Sequence, residues 1–257
     1  MPRSLIDYGY ILLLFTLSCS CHTGGSRFGE IKPVSEICVE SYDINRLPLE
    51  ISEMVPGSGE VTVRYRFVSQ NCLCDSNPIF VCEKPANWTV KMNGEEVLPS
   101  KKRHMFDEAD GCYVIAGMVL DGENVIELQG NGEISRACIV GDFNVLPSDE
   151  TGWRIAPSKT LKVAPLAGQG LPFYSGEVSY SQTYEAPEKI GKHILRITEW
   201  EGESCAVWVN GAKVANFAGK SLKKNIGPFL KTGENDIAIV VTVSEGDAGL
   251  LREYTIE

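Results

Sequence analysis

The chain has 257 residues, of which 43% are hydrophobic and 23% charged, so its composition is that of an ordinary globular protein. It carries 24 Lys and Arg against 34 Asp and Glu, a formal net charge of −10. An excess of acidic groups repels a phosphate backbone, which excludes nucleic acid as a partner. The basic run Lys101-Lys102-Arg103-His104 is expected to be a solvated loop.

The N-terminus carries an apolar run from Tyr10 to Leu17 behind one basic residue, Arg3. This run is too short to span a bilayer and suits the core of a signal peptide. It ends at a Ser-Cys-Ser-Cys sequence that resembles a bacterial lipoprotein cleavage site. We therefore predict a leader over residues 1–25, export, and lipid attachment at Cys19 or Cys21. The protein would then be a lipoprotein of the periplasm, outer membrane or cell surface, and would contact membrane only through its lipid. The alternatives are a misassigned gene start and a fragment of a longer chain.

Removal of the leader would leave seven of the nine cysteines, an odd number with irregular spacing. Such a set is no disulfide framework. Cys72 and Cys74 form a CxC pair with no second pair or histidine nearby, which does not match a zinc site. We expect buried free cysteines that act as small hydrophobic residues.

Residues 26–58 are predicted to be a connector, because Pro33, Pro48 and Pro56 interrupt them. A first module is predicted over 59–146. It begins at 61–67, where apolar and polar residues alternate as in a half-buried strand. Further strand-like runs of this module lie at 79–82, 88–92, 113–119, 125–128 and 134–145.

A second irregular stretch, 146–170, is predicted to link the first module to a second one over 147–257. Clean alternation returns at 178–184. Further strand-like runs lie at 194–198, 205–209, 213–217 and 237–243. Only residues 221–230 favour a helical turn. Many short strands separated by turn residues are typical of all-β sandwiches.

The two modules share a pair of short sequences. Asn93-Gly94 and Asn210-Gly211 each follow an alternating apolar run, and a Gly-Glu-Asn sequence follows each at 122–124 or 233–235. The offsets are 117 residues (210 minus 93) and 111 residues (235 minus 124), the size of a whole small domain. Asn-Gly suits a type I′ hairpin, which needs positive φ at both central residues. The sequence therefore predicts two copies of one β-rich module, with these asparagines in structural roles.

Catalytic motifs are hard to find. Glycoside hydrolysis uses two facing carboxylates, and no motif pairs them here. Glu83 and Glu199 stand at corresponding places before the two Asn-Gly turns, where each could face a ligand or bond a loop. The three histidines are His22, His104 and His193, and no nucleophile elbow, phosphate loop, dinucleotide fingerprint or HExxH sequence accompanies them. No cofactor is predicted.

Aromatic residues of the second module are a better lead, because Trp and Tyr rings stack on the flat faces of sugars. Trp200 is expected to be exposed, since it lies at a strand end within Glu-Trp-Glu-Gly. Trp208 alternates with Val207 and Val209 and is expected on the opposite face of its strand. The predicted ligand-binding residues are Trp200, Glu199, Tyr174 and Trp153. The alternative for each ring is a place in the core.

The second module resembles the galactose-binding-like, jelly-roll sugar-binding domain of family 2 glycoside hydrolases. The sequences that carry the resemblance are Leu171 to Gly176, Val178-Ser179-Tyr180, Trp200-Glu201-Gly202, Val207 to Gly211 and Gly233-Glu234-Asn235. It is similar, more closely still, to the C-terminal β-sandwich region of bacterial α-L-rhamnosidase-like enzymes, whose first sandwich also ends in a segment like 139–145. The resemblance covers residues 60–245 and implies two tandem jelly-roll, galactose-binding-like sandwiches.

This resemblance implies a carbohydrate-associated role without catalysis. The family carries its catalytic residues on a (β/α)₈ barrel of about 250 residues, and no alternating strand–helix series exists here. The expected function is therefore a non-catalytic, sugar-binding or accessory protein, with carbohydrate and a catalytic glycoside hydrolase domain or chain as partners. The alternatives are a bracing module or enzyme fragment that binds no sugar alone, and a small hydrolase with an unrecognised site. The resemblance leaves a structural calcium ion open, and no residue pattern here defines its ligands.

Overall fold

The computed structural model describes residues 30–31, 34–39, 45–70, 77–100, 110–132, 136–149, 151–244, 246 and 248–257. The predicted leader with Cys19 and Cys21, the Cys72–Cys74 pair and the basic run at 101–104 lie outside these residues. Within the described part of the chain, no helix is both long and apolar enough to cross a membrane.

The first half folds into two sheets that face each other. Its strands are β3 (Asn45–Pro48), β4 (Ile51–Pro56), β5 (Val61–Ser69), β6 (Ile79–Glu83), β7 (Trp88–Met92), β8 (Glu95–Val97), β9 (Asp110–Val114), β10 (Gly122–Gly130), β11 (Ala137–Gly141), β12 (Phe143–Ser148) and β13 (Gly152–Pro157). One sheet has the order β12-β13-β5-β10-β7-β8, with β4 also paired to β5, and the other has the order β3-β11-β6-β9. Tyr65 of the first sheet and Phe80 of the second pack in the core with ring centroids 6.3 Å apart.

The second half repeats this construction. Its strands are β14 (Gly176–Ala186), β15 (Ile194–Ile197), β16 (Trp200–Glu201), β17 (Ser204–Val209), β18 (Ala212–Phe217), β19 (Leu222–Asn225), β20 (Gly233–Val243), β21 (Gly249–Leu250) and β22 (Thr255–Ile256). The main sheet has the order β14-β20-β17-β18, and two smaller sheets are β19-β15-β22 and β16-β21. Three 3₁₀ turns complete the described secondary structure, at Pro85–Asn87, Ala167–Gln169 and Gly227–Phe229. The last of them lies within the range predicted to form a helical turn, while Leu222–Asn225 of that range is a strand.

Alternation along the long strands builds the cores, which confirms the predicted all-β, two-sandwich fold. In β14, every second residue from Val178 to Ala186 is buried, and Tyr180 and Tyr184 are fully enclosed. Each large apolar side chain removed from water in this way contributes about 1.5–3 kcal/mol to the free energy of burial. The residues between them face outward, so each main sheet has one packed and one open face.

The two main sheets have matching registers. Ile126 of β10 lies opposite Met92 of β7 and Tyr65 of β5. Ile237 of β20 occupies the same place opposite Val209 and Gln182. Strands β5, β10, β7 and β8 therefore correspond to β14, β20, β17 and β18, so the sequence repeat is a repeat of whole sheets.

The N-terminal segment contributes strands to both halves. Strands β1 (Glu30–Ile31) and β2 (Glu36–Val39) pair with β14, whereas β3 and β4 join the two sheets of the first half. The range predicted as a connector therefore contains four strands. Pro48 and Pro56 are the last residues of β3 and β4, where a missing N–H costs the ladder little.

The halves meet at Gly170. Its carbonyl oxygen accepts hydrogen bonds from Val145 N at 2.8 Å and from Asn45 Nδ2 at 2.7 Å. Strand β13 belongs to the first sheet, through pairing with β12 and β5, although the predicted second module begins at residue 147. The domain boundaries at 25, 58 and 146 stay predictions.

Candidate functional site

The repeated asparagines of the first module bond to each other. Asn93 Nδ2 donates to Asn124 Oδ1 at 3.0 Å, and Asn93 Oδ1 accepts from Val125 N at 2.9 Å. Asn124 also accepts from Leu120 N and donates to the oxygens of Leu120 and Gly122. The Asn-Gly turn and the Gly-Glu-Asn turn are therefore one hydrogen-bonded unit.

The second module repeats this unit. Asn210 Nδ2 donates to Asn235 Oδ1 at 2.9 Å, and Asn235 accepts from Lys231 N at 2.8 Å and donates to Lys231 O and Gly233 O. The φ angles are 50° and 87° at Asn93-Gly94, and 51° and 78° at Asn210-Gly211. These values confirm the predicted type I′ hairpins. The structural interpretation of the four asparagines is confirmed, but the sequence alone did not show that the two turns meet.

Trp200 is buried rather than exposed, so the expectation of an exposed ring is wrong. Only 7% of its surface is accessible. The indole Nε1 donates to Gly219 O at 3.0 Å, and the ring packs edge-on against Phe217 with centroids 5.4 Å apart. The polar end of the ring is satisfied by a backbone carbonyl, which allows the apolar body to join the core.

The other three predicted ligand-binding side chains have different partners. Tyr174 is 1% exposed, and its hydroxyl donates to Glu177 O at 2.7 Å. Trp153 is half-buried and packs edge-on against Phe173 with centroids 5.0 Å apart. Glu199 is exposed and forms an ion pair with Arg252 at 2.8 Å. Ligand binding by Glu199, Tyr174, Trp153 and Trp200 stays a prediction.

The histidine and the glutamate that a hydrolase could use, His193 and Glu83, both contact neighbouring groups of the fold. His193 is 3% exposed, its ring lies edge-on to Tyr184, and its Nδ1 is 3.2 Å from Gly191 O. Glu83, the counterpart proposed for Glu199, lies 3.5 Å from an exposed arginine, Arg136. Among the residues that the structure describes, no three His, Cys, Asp or Glu side chains cluster as metal ligands would.

Five cysteines lie in the described segments, and none of the five forms a disulfide. Cys82, Cys112 and Cys205 are buried, which confirms the expectation for these three, whereas Cys38 is exposed and Cys138 half-buried. Burial raises the pKa of the Cys205 thiol to about 12, so this side chain is a neutral core residue at physiological pH.

The open faces of the two main sheets differ in their chemistry. In the first module, Arg64 on β5 forms ion pairs at 2.8 Å with Glu127 on β10 and with Glu53 on β4. Lys91 on β7 lies 3.9 Å from Glu127. These side chains form a row across β4, β5, β10 and β7, and each lies within 3.9 Å of an oppositely charged partner.

The corresponding row of the second module carries small residues and one indole. Register places Ser181 where Arg64 stands, Ala238 where Glu127 stands, and Trp208 where Lys91 stands. The next row is formed by Ser179, Val240 and Ala206. We call these six residues the Trp208 face: Ser179, Ser181, Ala206, Trp208, Ala238 and Val240.

Trp208 is half-exposed on this face, while Val207 and Val209 are buried on the other side of β17, which confirms the predicted alternation. The ammonium group of Lys213 lies 5.0 Å from the centre of the Trp208 ring. Two hydroxyl groups lie on β14, two strands and about 10 Å from Trp208, and Ser179 Oγ and Ser181 Oγ are 3.5 Å apart. The face therefore combines a flat aromatic surface, a floor of small side chains and groups that both donate and accept hydrogen bonds.

Sequence reasoning placed Trp208 outward but missed the Trp208 face. The small residues belong to three strands that are distant in the chain, and only the register of β14, β20 and β17 brings them together. The available signal was the comparison of the repeats, because the row of Ser181, Ala238 and Trp208 is charged in the first module. The row of Ser179, Val240 and Ala206 is uncharged in both modules.

No protein family matches this sequence, and no curated protein matches it. Solved structures similar to it include the α-L-rhamnosidase of Streptomyces avermitilis complexed with L-rhamnose, at 13% identity over 82% of this chain, with a TM-score of 0.35. A glycosyl hydrolase family 2 member from Bacteroides cellulosilyticus matches 77% of the chain at 14% identity and a TM-score of 0.25. The Pleurotus ostreatus lectin, in its apo form, matches 90% at 12% identity and a TM-score of 0.24, and 84% of the lectin is covered.

The chain spans only 27% of the rhamnosidase and 26% of the family 2 chain. The neighbours named here are thus glycoside hydrolases and a lectin. TM-scores this low establish neither a shared ligand nor a shared site.

Proposed function

We propose that this protein is a non-catalytic, carbohydrate-associated protein, related to the accessory sandwiches of glycoside hydrolases, that binds glycans on its Trp208 face. The observation that carries the proposal is the replacement of the ion-paired row by Ser181, Ala238 and Trp208 in an otherwise equivalent sheet. A solvated sheet face needs charged or polar residues only for solubility. A half-exposed indole over small neighbours offers a binding surface.

Sugars suit this surface because a pyranose ring has one flat apolar face and a rim of hydroxyls. The apolar face of one ring can stack on the Trp208 ring in place of the Lys213 ammonium group. Ser179 and Ser181, two strands away on β14, can exchange hydrogen bonds with the rim of a neighbouring ring. Ala206, Ala238 and Val240 leave room for the ring to approach the sheet. Five residues of the face are partly exposed, whereas Ala206 is buried at 7% exposure and forms the base of the face.

The test is calorimetric titration of a panel of soluble polysaccharides with the wild-type chain and with Trp208→Ala. Loss of a central aromatic contact costs about 2 kcal/mol, so the variant should bind about 30-fold more weakly. Lys91→Ala is the matched control, because Lys91 holds the equivalent place in the first module. Equal affinity of wild type and Trp208→Ala, or silence of the wild type across the panel, would refute the proposal.

A second candidate is a bracing role beside a catalytic glycoside hydrolase chain, in which the same face packs against protein. The flat floor of Ala206, Ala238 and Val240 favours this candidate, since small residues allow close approach of another surface. Affinity capture with the wild-type chain as bait would then recover a hydrolase, and Trp208→Ala would lose it. Glycan affinity without such a partner would favour the first candidate.

Export and lipid attachment at Cys19 or Cys21 form part of this proposal, and they rest on the sequence alone. Such an anchor would hold the sandwiches at a periplasmic or cell surface, where polysaccharides are found. Metabolic labelling with palmitate in a bacterial host tests the idea. Cys19→Ala or Cys21→Ala should abolish the label, and persistence of the protein in the soluble cell fraction would contradict it.

A further inference from the structure

We infer that the ligand of the Trp208 face is the interior of an extended, uncharged polysaccharide chain, and not a chain end or an acidic polymer. This inference rests on the proposed function and specifies its ligand. Two properties of the face lead to it, namely its open shape and the charges that surround it.

Among the residues that the structure describes, the face ends at an exposed side chain on either side. One row crosses five strands, from Glu36 on β2 through Ser181, Ala238 and Trp208 to Lys213 on β18. Four gaps of about 4.8 Å give a width of about 19 Å, which is long enough for several sugar rings. Glu36 and Lys213 at the two ends are themselves exposed, so a polymer can continue beyond either edge.

Recognition of a terminal sugar needs a concave site that encloses the ring on its sides. The side chains between the two ends of the row are Ser181, Ala238 and Trp208, and the neighbouring row holds Ser179, Val240 and Ala206. Apart from the Trp208 ring, these side chains are short, so they form a floor and not a pocket. Binding strength must therefore accumulate over several rings, each of which rests on the sheet.

The surrounding charges are mainly negative. Outward positions on the described parts of β2, β14 and β20 carry the exposed carboxylates Glu36, Glu177, Glu185, Glu234 and Asp236. The ammonium group beside the Trp208 ring belongs to Lys213, which lies over that ring. At a Debye length of about 8 Å, a ligand that spans the row is affected most by Glu36, which lies in the row, and by Asp236, two residues from Ala238 along β20. They repel a polymer of uronic acids and leave a neutral one unaffected.

The experiment uses the full chain and four kinds of probe. These are the neutral polymers xyloglucan, galactomannan and hydroxyethyl cellulose, the acidic polymer polygalacturonate, oligosaccharides of increasing length cut from any neutral polymer that binds, and the matching monosaccharide. We expect at least one neutral polymer to bind and affinity to rise about tenfold or more from disaccharide to tetrasaccharide before it levels off. The monosaccharide and polygalacturonate should give no measurable heat, even at low salt.

A graft provides the control for folding. The triple variant Ser181→Arg, Ala238→Glu and Trp208→Lys installs the row of the first module, which already exists on the equivalent sheet. It should lose polymer binding while its urea unfolding midpoint stays near that of the wild type. Retained binding in a folded graft would overturn the assignment of the ligand to this face.

The outcomes separate the inference from the proposal beneath it. Tight binding of the monosaccharide, loss of binding when chain ends are blocked, or binding of polygalacturonate that Lys213→Gln removes would overturn the inference. The proposed carbohydrate-associated function would survive each of these results. Silence toward neutral and acidic probes alike would defeat both.

Discussion

Replacement of Asn235 by alanine should destabilise the second module by about 3 kcal/mol. The Asn235 side chain is fully buried, accepts hydrogen bonds from Lys231 N and Asn210 Nδ2, and donates to Lys231 O and Gly233 O. Each buried group left without a partner costs about 1–3 kcal/mol. Lys231 is exposed, so water can replace part of the hydrogen bonds that its backbone loses. We therefore expect the total loss of stability to lie between about 2 and 4 kcal/mol.

Urea unfolding monitored by hydrogen exchange with peptide resolution measures the loss of stability separately for each module. Protection of the β17 and β20 amides should fall in Asn235→Ala by the amount given above. The four tryptophans provide a second signal, because Trp88 and Trp153 belong to the first sheet system and Trp200 and Trp208 to the second. The early phase of fluorescence change should then belong to the second pair.

Asn124→Ala is the matched variant, since Asn124 makes the same bonds in the first module. It should lower protection of β7 and β10 by a similar amount. If Asn235→Ala cost less than about 1 kcal/mol, the asparagine unit would not hold the sheet, and the structural interpretation of the repeat would be wrong. A change spread evenly over both modules would contradict its local action.

Three further predictions concern the core and the contact between modules. Gly170→Ala should lower the free energy of unfolding by about 2–4 kcal/mol, because Gly170 has φ +94° and a Cβ there would lie 2.5 Å from the Asn144 side chain. A decrease of the thermal midpoint by less than about 2 °C would contradict this prediction. Trp200→Phe should reduce stability by about 1–3 kcal/mol, because the hydrogen bond to Gly219 O is lost, and should leave the affinity for glycans unchanged. A loss of affinity in the titration would show that Trp200 contributes to ligand binding. Stability should fall as pH rises above 9, because burial raises the pKa of Cys205 from 9.0 to about 12, so the unfolded chain releases a proton that the folded chain holds. Cys205→Ala should reduce the dependence of the unfolding free energy on pH by up to about 1.4 kcal/mol per pH unit. An unchanged dependence on pH would refute the raised pKa of Cys205.

The main sheets could be predicted from the sequence because their signals are local. Alternation marks β5 and β14, and the Asn-Gly pairs fix the hairpins β7–β8 and β17–β18 through the positive φ that each turn requires. The offset between the repeats then indicates that two similar modules exist. Each of these inferences uses residues that are neighbours in the chain.

Features that depend on distant contacts could not be predicted. Strands β1 and β2 pair with β14 across 139 residues (178 minus 39) to 155 residues (185 minus 30). Their own sequence resembles a connector, because proline and charged residues lie close to them in the chain. Trp200 was expected to be exposed because it follows a strand and lies between two glutamates. Its burial depends on Gly219 O and Phe217, which a loop brings back over the ring. The Trp208 face depends in the same way on register.

The contrast between the two modules points to where function resides. The requirements of folding are met in both modules by equivalent asparagine units and by mainly apolar inner faces, although Gln182 stands where the first module has Tyr65. Their outer faces are free of those requirements, since exposed ion pairs such as Arg64 with Glu127 contribute only about 0–1 kcal/mol each. The outward row that is charged in the first module carries Ser181, Ala238 and Trp208 in the second module, and folding does not require this difference. Solubility would favour charged residues there, and the place of Trp208 at the position of Lys91 is the reason why we propose a ligand on this face.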